Sequence, residues 1–301
     1  MKKYLTYFNE RFPFQTHLPI IGIFTFSAIC FSLSAAGQTE FVPWYRYLLV
    51  FCLTFGLFLL LRISDEFKDH EDDMKYRKYL PVPRGLISLK ELRNLGILVF
   101  SLHLLILLFY TDLLPIYLIT LVYLVFMFFE FFREEWLKKH QLAYVFSHML
   151  IIPLVDLVAS SAHWSFAGIN PPSALAWFFV VSFFNGILLE FGRKIKLPEN
   201  EEEGVVSYSK LWGMQNAVWI WLAVLAVTLG FAITAALAIE SPIWVYGLLV
   251  IFAIGGSLSA FFFLKNPTQK GAKMIENASG LWTMGMYLNL GALPFLVENV
   301  F

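Results

Sequence analysis

Charge is scarce in this 301-residue chain: Asp, Glu, Lys and Arg together make up 15% of it, against 58% hydrophobic residues. That leaves too little polar surface to coat a water-soluble fold, and points to a polytopic membrane protein. Cysteine is nearly absent. Cys30 and Cys52 both fall in apolar runs, where a cysteine is expected to pack as a small hydrophobe in preference to forming a disulfide or ligating a metal. The six histidines, at 17, 70, 103, 140, 148 and 163, show no metal-ligand spacing. There is no glycine-rich phosphate loop and no spacing that supports a Ser-His-Asp arrangement. A cleavable leader is not expected, because Met1 to Pro13 is mixed polar and aromatic. We read residues 1–13 as an interfacial segment lying on the membrane surface.

What is abundant is long apolar runs. Crossing about 30 Å of hydrocarbon takes roughly twenty residues, and nine runs qualify: 17–37, 44–63, 94–111, 116–133, 143–160, 173–192, 214–238, 242–264 and 279–298. The expected fold class is all-α, a nine-helix transmembrane bundle forming one domain over 1–301. With nine crossings, every Lys and Arg except Arg46 falls on one side of the membrane. Lysine and arginine enrich cytoplasmic loops, so the N-terminus is expected in the cytoplasm and the C-terminus outside. The thirty-two Phe, nine Trp and thirteen Tyr serve mainly lipid-facing packing and interfacial belts, and also permit shielding of a cation.

One stretch breaks the apolar pattern. After the second run, Asp65, Glu66, Asp69, Glu71, Asp72 and Asp73 lie within nine positions. On a helix Asp65, Asp69 and Asp73, joined by Asp72, line one face over two turns. Stacked acids repel unless a cation sits among them, and hard oxygen ligands suit Mg²⁺ shared with substrate phosphates. Lys75, Arg77 and Arg84 follow, placed to hold a diphosphate, with Pro83 and Gly85 fixing a turn around Arg84. The plain alternative is a solvated charged loop.

Asp65-Glu66-x-x-Asp69-x-x-x-Asp73 resembles the first aspartate-rich motif of the UbiA superfamily of intramembrane prenyltransferases, with Asp65 in place of that family's Asn and Glu66 in place of its Asp. Pro81-Val-Pro-Arg-Gly85-Leu-Ile-Ser88 is similar to the family's continuation, although Leu80 stands where an Arg is expected. The resemblance implies that Asp65, Glu66, Asp69 and Asp73 bind Mg²⁺ and ionise a polyprenyl diphosphate. It also implies transfer of the prenyl group to an aromatic or lipid acceptor, from a cavity central in the bundle and open laterally to lipid. The location implied is an inner or plasma membrane, with the active site on the cytoplasmic side.

The family's second motif is an Asp-x-x-x-Asp pair followed by Gly-x-x-Thr. Here Gly204-Val-Val-Ser207 matches the latter and the aspartates are missing. Glu190 and Lys194 form an i, i+4 pair, so either a lysine stands where a metal ligand is expected or Glu199, Glu201, Glu202 or Glu203 supplies the carboxylate. Arg193 and Lys194, if they face the cavity, would neutralise diphosphate oxygens that a second Mg²⁺ would otherwise cover; the alternative is that they only follow the positive-inside rule. The family's Tyr-x-x-x-Lys pattern survives as Tyr123 with Met127 in place of the lysine. Glu130 and Asp156 are further acids within or near spans, and Asp156 is a functional candidate by its position in the membrane. Two other functions stay open: a terpene cyclase using the same ionisation, and a divalent-cation permease. No nucleic-acid partner is expected.

Overall fold

The computed structural model describes residues 2–300. Helices are the regular structure of these residues, joined by loops, and nine helical stretches are long and apolar enough to cross a membrane. In order, α1 (Lys2–Arg11) leads into α2 (Phe14–Ala35) and α3 (Trp44–Lys68), and the short α4 (His70–Tyr76) follows α3 directly. Next come α5 (Leu89–Phe109), α6 (Leu114–Phe128), α7 (Glu134–Lys139), and α8 (Gln141–Met149) joined to α9 (Ile151–Trp164) as one crossing. The second half holds α10 (Leu175–Arg193), the short α11 (Tyr208–Trp212), α12 (Met214–Ala238), α13 (Ile243–Lys265), α14 (Gln269–Tyr287) and α15 (Leu293–Val300).

Local sequence sets the helix starts. Pro13, Pro43 and Pro242 stand immediately before α2, α3 and α13, where a missing N–H costs nothing. Ser88 and Glu91 form a reciprocal capping box at α5. Thr268 Oγ1 accepts from the Gly271 amide at 3.1 Å. That cap starts the last crossing about ten residues before its apolar run, so Gln269, Lys270 and Lys273 form polar helical turns ahead of the hydrocarbon-facing part. The second crossing likewise extends beyond residue 63, because Ser64 to Lys68 continue the α3 helix.

The first, sixth and ninth crossings are the most buried and the third and eighth the least, so α2, α10 and α14 form the centre and α5 and α13 the rim. α14 joins α15 through a π-helical turn at Leu288–Ala292, packed on α2. Gly291 sits so close there that a Cβ would lie 2.1 Å from the Ser27 carbonyl oxygen. Polar groups inside the bundle pair with one another, as lipid surroundings demand: Thr25 with Thr54 at 2.8 Å, Ser32 with His163 at 2.9 Å, and His103 with Tyr117 at 2.7 Å. α1 does more than border the bundle. Its Tyr7, with Phe12 just beyond, is buried in a cluster with Ile21, Leu59, Ile63 and Leu92.

Candidate active site

Side-chain contacts between loops show that the charged segments gather at one end of the bundle. Arg11 reaches Glu66, Arg84 reaches Glu10, Lys68 reaches Glu130 and Tyr79 reaches Glu202. The acidic stretch lies at their centre. α3 ends at Lys68 and α4 begins at His70, so the acids are divided between two helices. Helical bonding nevertheless carries through the junction: the Asp69 amide donates to the Asp65 carbonyl at 2.9 Å and the Asp73 amide to the Asp69 carbonyl at 2.8 Å. The i, i+4, i+8 register therefore survives.

The four carboxylates of the motif do not share one environment. The Glu66 side chain is fully buried and takes Arg11 Nε at 2.6 Å and Arg62 at 3.3 Å. Asp73 is buried and paired with Arg77 at 2.5 Å. Burial pushes the Asp73 carboxyl above the usual carboxylate range, Arg77 pulls it down, and the charge on Asp69 adds to the rise. Asp65 keeps 45% of its side-chain surface open, with Arg62 at 3.8 Å. Asp69 is half-buried, and among the described residues its carboxylate has no hydrogen bond or ion pair.

No three His, Cys, Asp or Glu side chains among the described residues are grouped so as to hold a metal ion by themselves. Mg²⁺ does not require that, since it is commonly held by one or two carboxylates with waters and substrate phosphates completing the shell. Asp65 and Asp69 fit that description, as hard oxygen donors not committed to strong ion pairs. Glu66 and Asp73 are held by arginines in this arrangement.

Across from α3, the end of α10 carries the second group. Glu190, 5% exposed, has both oxygens engaged: Oε1 by Lys194 at 2.7 Å, Oε2 by Arg193 at 2.5 and 2.7 Å. The Arg193 side chain keeps 61% of its surface open and lies within Coulombic reach of Asp65. The glutamates farther along are turned to other work. Glu201 accepts from Ser207, and Glu202 takes Lys196 at 3.2 Å and the Tyr79 hydroxyl at 3.1 Å. Glu199 and Glu203 are exposed. Gly204, at φ +75°, lies against the Tyr76 ring, so the loop after α10 folds onto the segment after α4. Ser207 caps α11, accepting from the Lys210 amide at 3.1 Å.

Other residues expected from the sequence are placed differently from one another. Arg84 makes a two-pronged bridge to Glu10 at 2.7 and 2.9 Å and donates to the Tyr79 carbonyl, so its guanidinium is committed to α1 and not to the acidic face. Lys75 is exposed, its ammonium 4.6 Å over the Tyr76 ring. The Tyr123 hydroxyl donates to the Ser147 carbonyl at 2.6 Å, tying α6 to α8. Asp156, buried in α9, accepts from Ser182 and, at 2.8 Å, from Tyr287, so α10 and α14 supply its partners.

One group escaped sequence reasoning. Lys68 Nζ lies 2.6 Å from Glu130 Oε1 and 3.2 Å from His148 Nε2, and that nitrogen is 3.2 Å from Glu130 Oε2. The His148 ring stacks on Tyr144 and its Nδ1 is 2.8 Å from the Tyr144 carbonyl, which assigns the proton to Nδ1 and turns Nε2 toward Lys68 and Glu130. Burial works to raise the Glu130 carboxyl, but the bond and charge of Lys68, with the His148 ring beside it, prevail and hold it below its ordinary value. Glu130, Phe131 and Phe132 all have φ between 48° and 56°, a left-handed turn rare for non-glycine residues. Lys68 ends α3 beside Asp69, so the trio borders the acidic face. A separate hollow of about 400 Å³, lined by Ile63, Phe67, Gly96, Phe100 and Phe128 with Ser64 and Arg93, opens between α3, α5 and α6 and includes none of these acids.

The profile of the UbiA prenyltransferase family matches residues 23–288. A solved structure of digeranylgeranylglyceryl phosphate synthase superposes on 100% of this chain and 99% of its own, with a TM-score of 0.64 and 19% identity, a likeness of fold. No curated protein sequence matches the chain.

Proposed function

The chain belongs to the UbiA prenyltransferase family, an intramembrane prenyltransferase by that membership, and from that premise we propose that it ionises a polyprenyl diphosphate at the Asp65–Asp69 face and transfers the prenyl group to an aromatic or lipid acceptor. The observation that carries this reading is the pair of open carboxylates, Asp65 and Asp69, one helical turn apart, with the open Arg193 guanidinium within Coulombic reach of Asp65. Asp65 and Asp69 would hold Mg²⁺, which when bound supplies Lewis-acid stabilisation of the charge growing on the leaving diphosphate. Arg193 adds a guanidinium fork for the same oxygens. Glu66 and Asp73 serve by fixing Arg11, Arg62 and Arg77 around the site, and Lys75 lies on its outer rim.

As the bond from the prenyl C1 to the diphosphate oxygen breaks, its electron pair leaves with the diphosphate, and the allylic cation needs a dry, aromatic wall. Tyr144, half-buried beside the acids, is placed to contribute. The near-total confinement of lysine and arginine to this end of the bundle supports a cytoplasmic site with the N-terminus on the same side, in an inner or plasma membrane.

The test is direct. Purified protein in lipid, given Mg²⁺ and farnesyl or geranylgeranyl diphosphate, should release inorganic diphosphate, and Asp69→Asn should stop it. Cation flux into proteoliposomes without diphosphate release would instead establish a permease. The position of the acids argues against that outcome, since transporters place coupling sites near the midplane on broken helices.

A further inference from the structure

Resting on that reading of the substrate, we propose that the site takes a single divalent cation, on the Asp65–Asp69 side, and that Arg193, steadied by Glu190, supplies fixed positive charge where a second cation would otherwise sit. A second ion needs a carboxylate with free oxygens on the α10–α11 side. Glu190 has none to give, because Lys194 holds one oxygen and Arg193 the other. One carboxylate with two cations carries a net positive charge, so a divalent ion entering there is repelled. Glu202 has its oxygens taken by Lys196 and Tyr79, Glu199 and Glu203 are exposed, and Glu201, with Oε1 bonded by Ser207, keeps a single buried oxygen, Oε2, without a partner, one donor where a hard divalent ion needs a shell of them.

The same arrangement suits a diphosphate. A guanidinium carries five N–H donors in a planar fork, and Glu190 uses only Nε and Nη2. The rest of the Arg193 side chain is open, and its charge is felt at Asp65. The diphosphate would then lie between a cation held by α3 and α4 and a guanidinium held by α10.

The experiment uses the full chain in nanodiscs with Mn²⁺ and inorganic diphosphate as probes. Electron paramagnetic resonance should count one bound Mn²⁺ per chain when diphosphate is present. Arg193→Ala should weaken diphosphate binding about tenfold, the loss expected for charge-assisted bonds to phosphate. Arg193→Lys, which keeps the pairing with Glu190, is the control for folding and should weaken binding less. Two Mn²⁺ per wild-type chain, or wild-type diphosphate affinity in both variants, overturns the proposal. A chain that binds one Mn²⁺, and diphosphate through Arg193, yet releases nothing from a prenyl diphosphate would sink the catalytic reading and leave this one standing.

Discussion

The end of α3 and the end of α10 are opposite solutions to the same placement. Both crossings finish at the charged end of the bundle, and both finish in groups of ionised side chains. At α3 and α4, carboxylates outnumber the cations that hold them, so Glu66 and Asp73 are paired while Asp65 and Asp69 are left open. At α10 the balance is reversed, with one buried carboxylate and two cations. The first end is built to receive positive charge and the second to receive negative charge. The magnesium-bound diphosphate of the proposed function would offer both, and the two ends together match that polarity better than either does alone.

Removing a free acid from the α3 end should break this contrast most severely. Asp69→Asn keeps the shape and loses the charge, and diphosphate release should fall by at least about a hundredfold, the scale on which preorganised electrostatic groups act. Because the Asp69 carboxylate has no partner among the described residues, thermal stability should hardly change. Activity retained with stability unchanged would mean that the open carboxylate is only a solvated charge.

Next in size is Glu190→Gln, which leaves Arg193 and Lys194 without their common counter-ion. Breaking a buried pair by removing one partner costs about 3 kcal/mol or more; Arg193 is largely open, which reduces the cost, so a loss of about 2 kcal/mol is expected in the melting of the detergent-solubilised protein. Inorganic diphosphate should bind no more weakly than in wild type, because its cations remain. Weaker binding with unchanged melting would mean that Glu190 acts on diphosphate by holding Arg193 in place and not through stability.

Gly204→Ala tests how the two ends are joined above the site. The residue stands at φ +75°, and a Cβ would lie 2.2 Å from the Tyr76 ring. Strain of about 1–2 kcal/mol follows from the dihedral alone, and the loop after α10 should lift from the segment after α4. The measurement is proteolysis between Lys194 and Lys210, which should quicken in the variant.

Glu130→Gln is smaller and depends on pH. Its carboxyl is held below its ordinary value in the folded chain, so the stability it confers is present above the glutamate value of 4.5 and is lost as pH falls through the depressed folded value. The wild-type melting temperature should therefore drop on acidification below about pH 4.5, and that part of the drop should be missing from the variant.

The residues show why some of this was legible in sequence and some was not. Nine apolar runs fix nine crossings, because crossing length and hydropathy are local properties. The crossing ends were less visible: Thr268 starts α14 ahead of the apolar run, and only its cap reveals it. The Asp65–Asp69 register is likewise local, since i and i+4 meet on any helix, and it persists across the junction at Asp69. Which acids stay open is not local. Arg11 reaches Glu66 from a helix 55 positions earlier, and no pattern within the motif marks that pairing. Lys68 and His148 lie 80 positions apart, so each reads alone as a positive-inside lysine and a packed histidine.

Arg84 closes the series with the smallest expected effect, and it separates sequence reasoning from structure most cleanly. Its turn, between Pro83 and Gly85 and following the acidic stretch, points to a phosphate-binding arginine. In the fold both prongs go to Glu10, and about a third of each side chain remains exposed. An exposed pair of this kind contributes little to stability, so Arg84→Ala should lower the melting temperature slightly and change the KM for a prenyl diphosphate by less than about twofold. An arginine that contacts the leaving diphosphate would instead cost about tenfold or more in kcat/KM. Glu10→Ala should reproduce the small effect if the bridge is the whole role of Arg84. A large loss in Arg84→Ala with none in Glu10→Ala would show that the guanidinium leaves α1 when substrate binds and adds its charge to the acidic end, erasing the contrast between the two ends of the site.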